Sequence, residues 1–422
     1  MKKLKLPPVF LIFISVLVFA TAQIAQAASS PIVSGSSVSE NVYSKNKISI
    51  FNKMLEISYP KNNALIDGDG RLAEEQSVSF AVYLPEGGSP DIRSYTLASN
   101  IYRISVADDD YRLLYPGQIT LAYDANISSS VANQLSIWYS PDADLSGMAS
   151  WDDDDNINLG GITNAGKHTI TAPFQLSGSE EGYYAVFLGH RQFGDLTLGD
   201  ESAWAYPYVT TLWAKGIIEP LPIGRDDDRF GLSENVNRLE FATMLVKGLG
   251  LPLSENIDRI FTDVDAGDDP ADIDQEYFGS DYEDYDYADS HYCIYDTGGR
   301  RPVNYVETAA RNGIITGYPD KKFKPDQQLT REEAAVIIGR AANLKISDDM
   351  DKVKAELTNE KKYEDGGSVS PWAAPMLLAA VKAKLFNGEP GETAIVLNPD
   401  GSLTRAQAAT LTYNLLKKLK KL

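Results

Sequence analysis

The chain has 422 residues, a formal net charge of −20 and a sequence pI near 4.6. This length allows two to three domains of ordinary size. The negative charge argues against nucleic acid as a partner, because affinity for the phosphate backbone depends on basic surface. The single cysteine, Cys293, excludes an intramolecular disulfide.

The N-terminus has the three parts of a secretory signal peptide. A basic start at 1–5 precedes an apolar run at 9–20 and the small residues Ala25 and Ala27. We expect cleavage after Ala27, which leaves residues 28–47 as a linker. Ala20-Thr21-Ala22 is a second possible cleavage site, and an uncleaved signal anchor is the other alternative. No other stretch is long and apolar enough to span a bilayer, so we expect no transmembrane segment after signal cleavage.

Residues 48–190 carry a hydrophobic pattern with a period of two. Val78, Phe80 and Val82 alternate with small or polar residues, and three later runs do the same (119–123, 135–139 and 184–186). Short strands at this spacing predict an all-β, sandwich-like domain. We expect it to serve as a spacer or a displayed module.

A short phrase then occurs three times: a capping residue, an arginine, and a Glu or Gln three positions after the cap. The copies are Asn237-Arg238-Leu239-Glu240, Thr330-Arg331-Glu332-Glu333 and Thr404-Arg405-Ala406-Gln407. Each phrase predicts a helix N-terminus with a capping box. An arginine at the positive end of the helix dipole suggests a site for an external anion, which the guanidinium and backbone N–H groups would share.

A second helix that ends in a turn precedes each phrase. Gly216 and Gly313 fit the left-handed position after the first two of these helices, and Lys384 takes that place in the third. Alignment on these turns brings Trp204 into register with Trp372. An aromatic-x-Asp motif lies further upstream in every copy (193–195, 261–263 and 363–365). Three such units imply repeats that bury their apolar faces against one another.

The repeats resemble the S-layer homology (SLH) domain. The similarity extends over about 193–422 and is strongest at 305–338, where Gly317-Tyr318-Pro319-Asp320 and Phe323-Lys324-Pro325 stand at the spacing of that family. The resemblance implies an all-α, three-repeat spindle with pseudo-threefold symmetry. We assign its repeats to residues 191–252, 253–345 and 346–422, with an acidic, Tyr-rich insertion at 265–300.

The resemblance also implies non-covalent binding of an anionic secondary cell-wall polysaccharide, which in that family often carries pyruvate ketals. The contacts expected from it, together with loop residues of copy two, are Arg238, Arg331, Arg405, Tyr318, Asp320 and Lys324. Trp204 and Trp372 are candidate sugar platforms, with burial in the core as the alternative. All three copies depart from the family pattern: copy one at 221–226 and at Asn237, copy two by its acidic insertion and by Arg301 in place of the tryptophan, and copy three at 387–391 and at Gln407. These departures leave open how many grooves bind.

The role of the arginines has two interpretations. Because Thr330 and Glu333 can cap their helix, we expect the Arg331 guanidinium to be free for a ligand. Replacement of Arg331 by alanine should then weaken polymer binding with little loss of fold. Structural ion pairs between repeats are the alternative. The other capping residues expected are Asn237, Glu240, Thr404 and Gln407.

No catalytic or metal-binding pattern stands out. The three histidines lack metal-ligand spacing, and the acidic loop at 152–155 lacks the order of an EF-hand. We therefore expect a secreted, non-enzymatic protein without cofactor or metal, anchored to the cell wall, with S-layer neighbours as further partners. The alternative is a wall-anchored polysaccharide- or peptidoglycan-active hydrolase, with the β-domain as its catalytic or carbohydrate-binding part.

Overall fold

The computed structural model describes residues 34–422 except 44–45, 85–90, 93, 109, 142–155, 177–180, 198, 200–201, 222–228, 254–259 and 265–301. The predicted signal peptide, the acidic loop at 152–155, the insertion at 265–300, Cys293 and Arg301 lie outside the described residues. No helix within the described part is long and apolar enough to cross a membrane.

The N-terminal half is built from antiparallel strands. They are β1 (Ser36–Asn41), β2 (Lys47–Ile50), β3 (Leu55–Ser58), β4 (Leu65–Ile66), β5 (Ser77–Tyr83), β6 (Asp91–Ile92), β7 (Tyr95–Leu97), β8 (Ile101–Ser105), β9 (Arg112–Leu113), β10 (Gly117–Ala122), β11 (Leu135–Ser140), β12 (Ile157–Gly160), β13 (Ile162–Asn164), β14 (Thr169–Phe174) and β15 (Glu181–Gly189). One sheet has the order β1-β5-β8-β15-β11-β12, and β7 and β6 extend it beside β15. A second sheet has the order β13-β14-β10-β3-β2, and β4 pairs with β9.

The two larger sheets share one hydrophobic core. Phe80 and Val82 of the first sheet pack in the same cluster as Ile119 and Leu121 of the second. These residues are the ones whose alternation predicts strands, since every second side chain of a strand points to the same face. The prediction of a β-rich N-terminal half is confirmed.

The C-terminal half is mainly helical. Its helices are α1 (Tyr206–Ala214), α2 (Arg238–Leu249), α3 (Pro302–Arg311), α4 (Arg331–Ala341), α5 (Met350–Leu357), α6 (Ala374–Lys382) and α7 (Arg405–Lys418). Copies one, two and three contribute the pairs α1–α2, α3–α4 and α6–α7, and α5 is an additional helix before copy three. Two short strands, β16 (Glu389–Pro390) and β17 (Ile395–Val396), form a hairpin, so this half is not all-α as expected.

Three backbone hydrogen bonds join the copies in a closed ring. Val236 donates to the Leu403 carbonyl at 2.9 Å, Leu403 donates to Leu329 at 2.8 Å, and Leu329 donates back to Val236 at 3.1 Å. All three side chains are buried. Because each residue stands just before a capped helix, the ring brings the N-termini of α2, α4 and α7 together.

The β-rich half packs directly on α1. The rings of Tyr95 and Trp213 stack with centroids 4.5 Å apart. At the end of α1, the Lys215 ammonium donates to the backbone carbonyls of Leu135 at 2.7 Å and Gly161 at 2.6 Å. Burial lowers the pKa of Lys215 from 10.5 to about 7. A buried lysine therefore forms part of the contact between the two halves.

Candidate functional site

The helices that begin at the repeated arginines all start with a capping box. Asn237, Thr330 and Thr404 accept a hydrogen bond from the backbone N–H three residues later, and the Glu or Gln at that position bonds back to the cap. The caps satisfy donors that would otherwise be left without partners at a helix N-terminus. They also fix the direction in which each arginine leaves its helix.

The N–H groups of the first two residues after each cap are bound by the neighbouring copy. Their acceptors are backbone carbonyls of a loop, and the pairs are Arg238 to Gln327, Leu239 to Pro325, Arg331 to Gly401, Glu332 to Pro399, Arg405 to Glu234 and Ala406 to Leu232. The expectation that these N–H groups face an external anion is therefore not met. They connect the copies in the cyclic order one to two, two to three and three to one.

The guanidinium groups follow the same cyclic order. We call the contact of Arg238 with copy two interface 1–2, that of Arg331 with copy three interface 2–3, and that of Arg405 with copy one interface 3–1. In each, Nε donates to a backbone carbonyl of the next copy: Arg238 to Phe323 at 2.8 Å, Arg331 to Leu397 at 3.0 Å and Arg405 to Phe230 at 3.0 Å. The three arginines are only 3–5% exposed.

Aromatic rings lie against these guanidinium groups. Arg238 lies 4.7 Å from the ring centroid of Tyr318, Arg331 lies 5.1 Å from Phe386, and Arg405 lies 4.7 Å from Phe230. A cation within about 6 Å of a ring centroid is attracted by the electron density of the ring face. Each arginine thus has a carbonyl and a ring supplied by the next copy.

A carboxylate completes each interface, but its source differs. Arg405 pairs with Glu240, and Arg238 pairs with Glu333 at 3.4 Å; both acids also cap their own helix. Copy three has Gln407 at the capping position, and Arg331 pairs instead with Glu389 of the β16–β17 hairpin at 3.3 Å. The two departures of copy three from the family pattern are therefore connected, because the loop supplies the charge that the cap lacks.

The aromatic-x-Asp motif holds the carbonyl that receives the arginine. Asp195, Asp263 and Asp365 accept hydrogen bonds from the N–H groups of Phe230, Phe323 and Leu397, whose carbonyls bind the three arginines. Each aspartate accepts at least one more N–H from the next residue of the same loop. The sequence shows this motif as a repeat without indicating that it positions the interfaces.

The predicted loop residues of copy two lie at interface 1–2. The Arg238 guanidinium and the Lys324 ammonium lie 4.7 Å and 4.2 Å from the centroid of the Tyr318 ring. Its hydroxyl donates to Glu333 at 2.6 Å, and burial together with this hydrogen bond raises the pKa of Tyr318 to about 12. Asp320 is exposed and accepts from the Lys322 N–H within its own turn.

The two tryptophans lie on the surface. Trp204 is 52% exposed and Trp372 is 58% exposed. Burial in the core, the alternative from the sequence, is therefore excluded for both. Trp372 follows Ser370 by two residues, and the Ser370 N–H binds Glu332, the neighbour of Arg331. The exposed Trp372 ring is thus two residues from a backbone contact with α4, the helix that begins at Arg331.

These contacts change the expected role of the arginines. Arg331 is buried and bound to copy three through a carbonyl, a ring and a carboxylate, so its guanidinium is not free. The geometry agrees with the alternative of ion pairs between repeats. Direct contact of Arg238, Arg331 and Arg405 with a polysaccharide stays a prediction. Among the described residues, no three His, Cys, Asp or Glu side chains are grouped so that they could hold a metal ion.

Comparison with known proteins identifies the repeats. The sequence model of the S-layer homology domain matches residues 301–335 and 362–409, within copies two and three. The chain carries SLH domains. Copy one lies outside the matched residues, but it has the same capping box, the same aspartate contact and the same arginine contact. The predicted resemblance and the predicted location at the cell wall are confirmed.

Similar proteins include both anchoring proteins and enzymes. The chain is 26% identical to an amylopullulanase of Thermoanaerobacterium thermosulfurigenes over 343 residues, which cover 80% of this chain and 15% of that protein. It is 29% identical to the exoglucanase XynX of Acetivibrio thermocellus, over 49% of this chain and 16% of the relative. It is 39% identical to a cellulosome-anchoring protein of the same species, over 26% of this chain and 22% of the relative. The chain spans less than a quarter of the length of each of these relatives.

These matches correct one expectation. The prediction that the protein is not an enzyme is contradicted, because two of these relatives are named as enzymes and their alignments cover 80% and 49% of this chain. The absence of a familiar catalytic motif in the sequence was a weak basis for that prediction. Carboxylate pairs that hydrolyse glycosides need no fixed spacing along a chain.

Proposed function

We propose that this protein is a polysaccharide-active surface protein held at the cell wall by its SLH copies. The three copies form a pseudo-threefold spindle that binds an anionic wall polysaccharide. The β-rich half binds or hydrolyses a second polysaccharide, a starch- or pullulan-type glucan. This proposal replaces a purely displayed β-domain with one that acts on carbohydrate.

The match to the amylopullulanase carries the proposal. It covers 80% of this chain, whereas residues 193–422 make up little more than half of it. The alignment must therefore include part of the β-rich half. The exoglucanase match, at 49% of the chain, is short enough to be accounted for by the SLH copies alone.

The β-rich half presents aromatic side chains at the end opposite to α1. Strand β1 ends at Asn41 opposite Ser77, where β5 begins, whereas β15 ends at Gly189 next to Ala214 of α1. The Tyr59 hydroxyl donates to the Val42 carbonyl and so links the second sheet to this free end. Tyr43 is 61% exposed and Tyr115 is 47% exposed in the loops there. We propose these two rings as surfaces on which a glucan stacks.

A pulldown of the full chain with insoluble starch, together with an assay of reducing ends released from starch and pullulan, tests this half of the proposal. We expect the wild-type protein to bind, and Tyr43→Ala/Tyr115→Ala to bind less, with an unchanged melting temperature. Release of reducing ends would assign hydrolysis, and binding without release would assign a carbohydrate-binding role. The absence of both binding and release, with every glucan tested, would contradict the proposal.

The exposed tryptophans support the wall-binding half. Trp204 and Trp372 occupy matching positions in copies one and three, and each presents a ring to solvent. In copy two we include Tyr318, Asp320 and Lys324 of the loop at interface 1–2. We propose that these residues line the polysaccharide grooves and that the arginines hold the grooves in shape.

Purified cell walls, before and after extraction of their polysaccharide, test the wall-binding half. The full chain should sediment with intact walls and remain in solution with extracted walls. Trp204→Ala/Trp372→Ala should sediment less but still bind starch, and Tyr43→Ala/Tyr115→Ala should show the reverse. Equal binding to extracted walls would contradict recognition of a wall polysaccharide.

A further inference from the structure

The carboxylate of interface 2–3 can leave its arginine more easily than the other two. Glu389 lies on a two-residue strand of the β16–β17 hairpin, and its side chain is 52% exposed. The side chains of Glu333 and Glu240 are 13% and 12% exposed, and each also caps a helix. Movement of Glu389 away from Arg331 would leave every helix cap intact.

The contacts on the outer edge of Arg331 are also long. Its terminal nitrogens lie 3.3 Å from the Glu389 carboxylate and 3.4 Å from the Asn387 carbonyl. Hydrogen bonds between a cation and an anion are typically about 2.7–2.9 Å. The terminal nitrogens of Arg405 have closer contacts, with the Glu219 carbonyl at 2.7 Å and with the Glu240 carboxylate. Arg238 lies 3.4 Å from Glu333, so interface 2–3 is set apart by the exposure of Glu389 rather than by contact length. Arg331 is therefore bound firmly through Nε and loosely through the edge that faces the hairpin.

We propose that Glu389 and the carboxylate of an acidic sugar compete for this edge of Arg331. The proposal rests on the proposed binding of an anionic wall polysaccharide and selects interface 2–3 as the place where its charge is read. A ligand carboxylate has the same charge and hydrogen-bonding geometry as Glu389. Exchange of one for the other keeps the buried guanidinium paired, so it avoids the cost of an uncompensated buried charge.

The surroundings of Arg331 fit a sugar that bears the acid. Glu332, the next residue on α4, accepts the Ser370 N–H at 2.9 Å, and the exposed ring of Trp372 follows two residues later. Gln407 donates to Glu389 at 3.0 Å and would be available to a ligand oxygen after exchange. A carboxylate site and an amide donor therefore adjoin, and an exposed aromatic ring lies two residues from a backbone contact with α4.

Glu389→Gln tests the competition, because it removes the charge and keeps the size of the side chain. Glu392→Gln is the matched control: Glu392 is an exposed acid between β16 and β17, so it carries the same charge change near the same strands. We expect Glu389→Gln to bind polysaccharide released from peptidoglycan about 1.5- to 5-fold more tightly than Glu392→Gln, which corresponds to the small contribution of an exposed ion pair. Equal affinities of the two variants, or weaker binding by Glu389→Gln, would overturn the proposal.

A second measurement keeps the proposal testable without the polymer. Pyruvate serves as a small carboxylate probe, and the NMR signal of the Arg331 Nε–H group reports its binding in the full chain. We expect half-saturation at a lower pyruvate concentration in Glu389→Gln than in the wild type or Glu392→Gln. Absence of any Arg331 response in all three proteins would reject the exchange. If the wild type bound no wall polysaccharide but Arg331 responded to pyruvate, the proposed anchoring would be wrong and the exchange would stand.

Discussion

Replacement of Arg405 by methionine should destabilise the SLH copies rather than only reduce ligand binding. Arg405 is 4% exposed and donates to the Phe230 carbonyl and the Glu219 carbonyl of copy one. It also pairs with Glu240, whose side chain is 12% exposed. Methionine retains most of the apolar volume, so the loss is confined to the charge and its hydrogen bonds.

The expected magnitude follows from the burial of the pair. Removal of one partner of a buried ion pair costs about 3–5 kcal/mol, because the other charge is left without compensation. Each carbonyl left without a donor would cost about 1–3 kcal/mol in isolation, but these contributions overlap and do not add. We expect a total loss of about 3–5 kcal/mol, a large part of the roughly 5–15 kcal/mol that stabilises a typical domain.

Urea unfolding monitored by circular dichroism measures this loss, with Lys382→Met as the control. Lys382 pairs with Glu356 at 2.6 Å, but its side chain is 54% exposed, so its removal should cost no more than about 1 kcal/mol. The comparison separates burial from contact distance as the cause of stabilisation. A loss below about 1 kcal/mol for Arg405→Met would refute the structural role of the arginines.

Three further predictions test other parts of the structure. The pKa of Lys215 falls from 10.5 to about 7 on folding, so the unfolded chain binds more protons between these values and the free energy of unfolding should rise with pH across that window. Urea titrations from pH 6 to 10 should show that Lys215→Met lacks this rise; parallel pH profiles would contradict it. The two oxygens of the Asp263 carboxylate accept hydrogen bonds from the N–H groups of Phe323 and Lys324. Asp263→Asn keeps only one acceptor oxygen, so its melting curve should show a loss of stability of about 1–3 kcal/mol. Asp320→Asn, which changes a contact within one exposed turn, should leave the stability unchanged. Trp372→Ala should leave stability within about 0.5 kcal/mol and reduce sedimentation with walls, since the ring is exposed; a large drop in melting temperature would instead indicate a packing role.

The sequence predicts the parts of this fold that depend on local geometry. The left-handed position after the first helix of each copy is an example: Gly216 and Gly313 have φ of 66° and 68°, and Lys384 has φ of 58°. Alignment on the turns was therefore meaningful even where glycine is absent. The capping boxes and the alternating strands follow from the same kind of local rule.

The partners toward which the three arginine side chains point could not be predicted from local geometry. Arg405 binds residues 175 and 186 positions earlier in the chain, so its partners depend on how the copies close into a ring. The local sequence correctly shows that a cation begins each helix, but it does not show that another copy already supplies the anion. The exposure of Trp204 and Trp372 was equally open, since an aromatic residue just before a helix fits a core and a surface alike.

The acid partner of each arginine leads to a last prediction, which concerns salt. Binding of an anionic polymer to a free cation weakens as salt rises, because ions screen the attraction. Exchange at Arg331 replaces one carboxylate by another, so screening acts on both states alike. The protein also has a net charge of −20 and repels an anionic polymer, and salt reduces that repulsion. Wall sedimentation should therefore stay constant or increase between about 0.01 and 1 M NaCl, over which the Debye length falls from about 30 to 3 Å. A steep loss of binding over this range would show that the wall polymer displaces no internal carboxylate from the cation it contacts. Lys324, whose ammonium lies against the Tyr318 ring, would then be the first residue to replace.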